Sequence, residues 1–393
     1  MIRRINKKNN SKAEGVPPMN GNLAANNSEV ARLKDVLSHF DIKGSFTGYN
    51  ALKSGNINKT FAVFTTDEKG KTRTYLLQQI NATVFSDPQT ISDNIEGVTS
   101  YIFNHLPQSS DKKRLVERIF ETKDGKKLYI DNDKCYWRLM SYIYDSVCVN
   151  LADAKILEST GKAFGSFLAQ LSEYPIETLK ETIPDFHNTP KRVRDLKASY
   201  EKDVCGRRAE VDEACRYIFA QEYYINFFEN AYKAGKLPLR VTHNDTKCNN
   251  VMFDAHTHEP LAVIDLDTVM PGFPAYDFGD AIRFGANTCT EDDPNLEKVE
   301  LDLEKYEAFC RGYIDAVKHN LTRFELETLY IGAVTTILEI GARFLADYLD
   351  GDVYFICRRD RHNYYRGMNQ VKLLRSAISR IDDLRRISFK YID

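Results

Sequence analysis

The hydrophobic pattern of this chain changes its period once, and that change limits the folds open to it. From Ser45 to about Tyr144 apolar residues alternate as they do in strands, whereas beyond Tyr144 they recur every three or four residues. SFTGYNAL, KTFAVFTT and TRTYLLQQI read as strands, joined by the polar loop KSGNIN and the turn DEKGK. VERIFET, KKLYID and CYWRLMSYI read as further strands, the first two split by the hairpin signal Asp124-Gly125. Helices are predicted over Ser28–Phe40 and roughly Thr90–His105. After Tyr144, helical spacing runs through LADAKILESTGKAFGSFLAQL, Thr189–Lys233 and, with breaks, Lys298–Ile378. Only Leu239–Asp267 interrupts it. The fold class is therefore α+β, a β-rich N-terminal lobe followed by a mainly α C-terminal lobe. The expected division is a flexible tail over 1–27, an N-terminal lobe over 28–143 and a C-terminal lobe over 144–393.

Composition narrows the functional classes. The chain has 393 residues, enough for two lobes with their own cores. Lys plus Arg number 54 against 56 Asp plus Glu, a net charge of −2, so there is no basic footprint for nucleic acid. Any phosphate must be held by a few local groups. The eight cysteines are scattered, without the close spacing of a zinc site or a redox pair, and read as reduced thiols of a cytoplasmic protein. The opening MIRRINKKNNSKAEG is basic and polar, unlike a signal peptide, and Met19 is an alternative start. No apolar run is expected to cross a bilayer, and no membrane partner is expected. Oligomeric state is not written in the sequence.

The non-helical insert carries the chemistry. From Val241 it reads V-T-H-N-D-T-K-C-N-N-V-M-F-D, and within it His243-x-Asp245-x-x-x-x-Asn250 has the spacing of the protein-kinase catalytic loop. An ionised Asp245 only accepts hydrogen bonds, so it orients a substrate hydroxyl and takes its proton; Asn250 offers a neutral carbonyl oxygen to a magnesium ion. His243 pins the loop. The apolar strand Leu261-Ala262-Val263-Ile264 then ends in Asp265-Leu266-Asp267. Mg²⁺ takes oxygen ligands and keeps several waters, so one or two carboxylates and the phosphates of ATP suffice. Asp265 is the candidate metal ligand, and Asp267 stands behind it or against the acceptor. His256-Thr257-His258 is a polar turn, and Cys248 a packing residue.

THNDTKCNNVMFD, VIDLDTVMPG, YDFGDAIRFGANT and ARFLADYLDGDVYF, with YLLQQIN and FHNTPKR, resemble the bacterial N-acetylhexosamine 1-kinases within the aminoglycoside phosphotransferase and choline kinase superfamily. The resemblance runs from about Ser38 to Ala377. It implies a two-lobe protein-kinase-like fold and transfer of the γ-phosphate of ATP, with Mg²⁺, to the anomeric hydroxyl of N-acetylglucosamine or N-acetylgalactosamine. It implies Asp245 as the catalytic group, Asn250 and Asp265 as metal ligands, and Asp267, Thr268, Arg343 and Tyr354 around the sugar. Without it, Arg343 reads as a surface partner of Glu339, one helical turn away. Asp277 and Asp280 cap a helix or brace the catalytic loop. Asn56 stands where similar kinases carry a sugar-facing His.

The nucleotide side departs from the kinase pattern. Gly55, in Ser54-Gly55-Asn56-Ile57-Asn58, would present backbone N–H groups to phosphate, although the loop is short. Gln78 stands where a phosphate-pairing lysine is expected. Either magnesium carries more of the charge or another cation, such as Lys59, swings in. Glu96 follows on the next helix as the carboxylate such a lysine would pair with, solvated when no lysine is there. Arg138–Tyr142 is the expected hinge, with the backbones of Met140 and Tyr142 reading adenine. Two alternatives stay open: a kinase of another sugar, polyol or amino alcohol on this fold, and an inactive kinase-like binding module.

Overall fold

The computed structural model describes residues 27–52, 57–108, 110–150 and 152–392. Residues 1–26 of the expected tail and the two loop residues Gly55 and Asn56 lie outside the described residues, whereas Asn27 already begins the first helix. The N-terminal lobe consists of α1 (Asn27–Ser38), β1 (Ser45–Leu52), β2 (Lys59–Thr66), β3 (Thr72–Ile80), α2 (Pro88–His105), α3 (Lys112–Leu115), β4 (Ile119–Phe120), β5 (Tyr129–Ile130) and β6 (Tyr136–Ser141). The strands form one antiparallel sheet in the order β1-β2-β3-β6-β4, with β5 also paired to β6.

Strand periodicity sorts this sheet into two faces. Phe61, Leu77 and Leu139 stand in one row across β2, β3 and β6, and they pack with Leu33, Val36, Leu37 and Phe40 of the α1 segment. Thr60, Gln78 and Arg138 form the next row, which must point the other way, toward α2 and the C-terminal lobe. Leu76, Ile80 and Met140 on that face join the large core that continues into the helices. The sheet is thus covered on one side by its own helix and forms the roof of the interlobe cleft on the other.

The strand expected over VERIFET contracts to β4. Thr122 already begins a turn, its backbone N–H bonded to Lys126 O at 2.7 Å and its hydroxyl to Asp124. KKLYID contracts to β5 for a similar reason: Asp131 draws the backbone N–H groups of Asp133 and Cys135 and the Trp137 indole onto its carboxylate, which turns the chain.

Beyond β7 (Ser146–Val147) the chain is mainly helical: α4 (Ala154–Gln170), α5 (Thr189–Lys202), α6 (Arg208–Phe219) and α7 (Glu222–Lys233). The expected interruption follows as β8 (Arg240–Thr242), β9 (Val251–Asp254), β10 (Pro260–Val263) and β11 (Met270–Gly272). Helices resume with α8 (Pro274–Gly285), α9 (Leu303–Val317), α10 (Arg323–Glu327), α11 (Leu329–Asp350), α12 (His362–Ser379) and α13 (Ile381–Phe389). The antiparallel-sheet and helical lobes make the expected kinase-like α+β fold. Among the described residues one helix, α11, is long and apolar enough to span a bilayer, contrary to the expectation from sequence, yet 78% of its most apolar stretch is buried inside the protein.

One helix contact fixes the floor of the site. α8 lies against α11 so closely that a Cβ on Gly279 would collide with the Gly332 carbonyl oxygen, and one on Gly332 with the carbonyl of Ala275. A methyl group there must push the two backbones apart. Gly332→Ala is expected to destabilise the protein by about 1–3 kcal/mol, read as a lower urea midpoint than wild type; an unchanged midpoint would show that α8 has slack.

Candidate active site

The site is built on the segment joining β8 to β9. Asn244 has φ 65°, a left-handed conformation that Asn tolerates better than most residues. The turn points two successive backbone N–H groups the same way, and Asp277 of α8 receives both: His243 N at 2.8 Å and Asn244 N at 2.7 Å. Asp280, one turn further along α8, accepts Thr246 N at 3.1 Å and is paired with Arg283. Burial pushes the Asp277 carboxyl above its ordinary value, opposed by His243 and by these two N–H bonds. Asp277 and Asp280 therefore brace the loop from below. His243 completes the brace: its Nε2 is 2.9 Å from Ile264 O, and its Nδ1 accepts Asp245 N at 3.2 Å.

Asp245 is raised on this platform with its side chain 27% exposed to the cleft. Lys247 Nζ lies 2.6 Å from its Oδ1. Burial pushes the Asp245 carboxyl up, but the charges of Lys247, His243 and Arg283 outweigh it and hold the group below its ordinary value. Asp245 is thus an ionised acceptor. Asn250 Nδ2 donates to Asp245 O at 2.8 Å and to Asp245 Oδ2 at 3.1 Å. With the amide nitrogen so engaged, the Asn250 group left to meet a cation is its carbonyl oxygen.

Asp265, two residues beyond the end of β10, has a left-handed conformation, φ 62°, and is exposed. Its carboxyl is pushed up to about 6 by the protein around it and by the neighbouring charges of Asp267 and Asp245. Glu117, buried beside Asp265 and Asp267, is pushed up to about 8 by burial above all. The Arg138 guanidinium already lies among these carboxyls, paired with Asp267 and opposing the effect of burial on Glu117. Among the described residues no cluster of three or more acidic, His or Cys side chains forms a full cage. Asn250 and Asp265 instead fit the sparse set of protein oxygens that Mg²⁺ takes when phosphates complete its shell.

Asp267 and Thr268 occupy places different from those expected. Asp267 is buried, and its two oxygens take donors from the other lobe: Arg138 Nη2 at 2.7 Å and Asn58 Nδ2 at 2.5 Å. It is a bridge between the lobes. Thr268 donates its hydroxyl to His243 O at 2.7 Å, and its carbonyl accepts Asn244 Nδ2 at 2.9 Å, so it belongs to the bracing of the loop.

Arg343 is no surface partner of Glu339, which is fully buried. Glu339 binds His187 Nδ1 at 2.9 Å and the Thr189 hydroxyl at 2.7 Å. His187 stacks on Tyr276 and reaches the Asn244 carbonyl at 3.4 Å. Burial pulls the imidazole down, and the Glu339 charge outweighs that and raises it. The Arg343 guanidinium lies 5.2 Å from the Phe186 ring and 5.7 Å from the Phe355 ring. Burial lowers its affinity for the proton, Glu339 opposes this, and the nearby charge of Arg192 adds to it. Tyr354 is 65% exposed on the following loop, which Asp347 holds by accepting the backbone N–H groups of Val353, Tyr354 and Phe355. Phe186 and His187 thus link Arg343 to the loop that carries Asp245.

On the nucleotide side, Met140 lies within the sheet, in register with Leu76 and Ile119. Ser141 N turns to Arg118 O, so the Met140 backbone faces β3 and is committed to the ladder. This corrects its assignment to adenine; Tyr142 lies just past the strand. Lys59 is corrected too. It pairs in register with Gln79, on the face covered by α1 and not on the face that carries Gln78. Glu96 is not a solvated orphan: Ser100 donates to it at 2.5 Å, and Arg118 lies 3.8 Å away.

Sequence reading missed Lys247, Asn58, Glu117, Phe186 and His187 as site residues, and it placed Arg138 only at the start of the hinge segment. Lys247 was legible two places after Asp245, and Phe186 and His187 open the quoted FHNTPKR; the other three depend on pairing across the fold.

If the Asp277 brace positions the loop, Asp277→Ala leaves two buried N–H groups without an acceptor, each costing about 1–3 kcal/mol. The variant is expected to lose stability and turnover together while its retained nucleotide affinity changes little. Wild-type turnover in that variant would contradict the bracing role.

Residues 49–313 match the family described as phosphotransferase enzyme family, APH. Similar solved structures include an aminoglycoside phosphotransferase from Alicyclobacillus acidocaldarius, with 14% identity over 91% of this chain and 96% of that one and a TM-score of 0.57. Choline kinase from Cryptosporidium parvum has 14% identity over 92% and 99%, with a TM-score of 0.54. An amicoumacin kinase in complex with AMP-PNP and Ca²⁺ has 14% identity over 93% and 94%, with a TM-score of 0.51. At such identities these likenesses concern the fold.

Proposed function

The chain belongs to the phosphotransferase enzyme family, and on that premise we propose that it transfers the γ-phosphoryl group of ATP to the anomeric hydroxyl of an N-acetylhexosamine. The observation that carries the acceptor class is Arg343. Its guanidinium sits between Phe186 and Phe355, with the charge of Arg192 close by, on the wall that leads to Asp245. Choline and aminoglycosides, the acceptors named for two of the similar structures, carry ammonium groups, which two guanidinium groups repel. A neutral sugar suits the same wall. Arg343 donates to an acetamide carbonyl or ring hydroxyls, and Phe186, Phe355 and Tyr354 offer ring faces. The two carboxylates four residues from Arg343 are already spent, Glu339 on His187 and Thr189 and Asp347 on the backbone N–H groups of Val353, Tyr354 and Phe355.

In this reading Asp245 orients the acceptor hydroxyl and receives its proton as the new P–O bond forms. The leaving ADP takes the electrons of the broken bond. Transfer is direct and in line, and the protein supplies positioning and charge stabilisation. Asn250 and Asp265 would hold Mg²⁺, which when bound neutralises the charge of the phosphates. Lys247 supplies a cation beside the base. The interlobe bridge from Asp267 to Arg138 and Asn58 sets the distance between the nucleotide roof and the catalytic floor. We also place the protein in the cytoplasm, on its scattered cysteines.

ADP release with Mg²⁺-ATP should depend on N-acetylglucosamine or N-acetylgalactosamine, with little release on glucose, galactose or choline. Asp245→Asn should lower kcat by about 10²–10⁴-fold while Mg²⁺-ATP still binds. Release driven by choline would overturn the sugar reading, and full activity in Asp245→Asn would overturn the mechanism.

A further inference from the structure

A kinase of this fold ordinarily pairs a lysine on the strand of Gln78 with the nucleotide's phosphates and with a carboxylate. Here that strand position is neutral. The fold restores the charge one strand away. Arg138 of β6 is in register with Gln78 of β3, on the face that roofs the cleft. It is 2% exposed. Gln78 Oε1 accepts from Arg138 Nε at 3.2 Å and from Nη2 at 2.6 Å, and Gln78 Nε2 is in turn tied to the Thr60 hydroxyl at 3.3 Å. Nη2 also meets Asp267 Oδ1 at 2.7 Å, two residues beyond the candidate metal ligand Asp265. The remaining nitrogen, Nη1, is buried with no hydrogen-bond partner.

A buried guanidinium nitrogen lacking an acceptor calls for one, and anionic oxygen is the acceptor it binds best. We propose that Arg138 is the nucleotide-positioning cation of this protein, its Nη1 directed to a phosphate oxygen of ATP, with Gln78 as the acceptor that fixes its orientation. Asp267 takes the part of the paired carboxylate. The glutamine is then no loss of function: a lysine at that place would repel Arg138 and displace it. Glu96, the expected partner of a strand lysine, is correspondingly turned to Ser100 and Arg118. The inference rests on the proposed use of ATP but not on the identity of the acceptor.

The test is a relocation of the charge, read by calorimetric titration with Mg²⁺-ATP and by steady-state kinetics. Arg138→Met should weaken Mg²⁺-ATP binding by about tenfold or more, the worth of one charge-assisted contact. The double variant Gln78→Lys/Arg138→Met returns the charge to β3 and should recover most of the lost affinity, which a purely structural arginine would not allow. Should Arg138→Met fail to fold, Gln78→Leu carries the test, because it keeps the charge and removes its orienting acceptor; a several-fold weaker affinity for Mg²⁺-ATP is expected. Unchanged affinity in Arg138→Met or in Gln78→Leu overturns the proposal, as does a double variant no better than the single one. Wild-type protein that binds no Mg²⁺-ATP would overturn the ATP reading itself, and this proposal with it.

Discussion

Two backbone N–H groups, those of His243 and Asn244, end on the one carboxylate of Asp277, and the working parts of the molecule depend on that contact. The loop between β8 and β9 has only the short 3-10 turn Cys248–Asn250 and no sheet ladder of its own to hold it. Its buried N–H groups must find acceptors elsewhere. Asp277 and Asp280 provide them from α8, and α8 is itself seated on α11 through a contact with no room for a methyl group. Rigidity thus passes from the helical core, through two carboxylates, to the residue that faces the cleft.

The same loop meets the acceptor wall and the roof. His187 links Asn244 to Glu339, one helical turn before Arg343. On the other side Asp267 ties the floor to Arg138 and Asn58 of the sheet lobe. On the proposed function, a site that brings together a nucleotide, a cation and a base needs its fixed charges set before the ligands arrive. Here most of those charges are already held by named partners.

Much of this was legible in the sequence where the information is local. The change of hydrophobic period locates the two lobes. The spacing of His243, Asp245 and Asn250 and the strand ending at Asp265 locate the floor, because each pattern is carried within a few residues. Asp277 and Asp280 were legible as braces for the same reason. What was not legible depends on register. Arg138 meets Gln78 across 60 residues of chain, and nothing in either strand's own sequence says that they lie opposite one another. Glu339 meets His187 across 152 residues, so the ion pair it makes could not displace the helical neighbour Arg343 as its apparent partner. The Met140 assignment failed on the direction of its backbone, which alternates along a strand and is fixed only by the partners on either side.

The measurement that tests the account most directly is proton-coupled phosphorus NMR of the product formed from Mg²⁺-ATP and N-acetylglucosamine. The account predicts a sugar phosphate whose resonance couples to the single anomeric proton, as it must when the phosphoryl group has gone to the hydroxyl presented to Asp245. A phosphate coupled to the two protons of the 6-carbon, or no phosphorylated sugar at all, would contradict it.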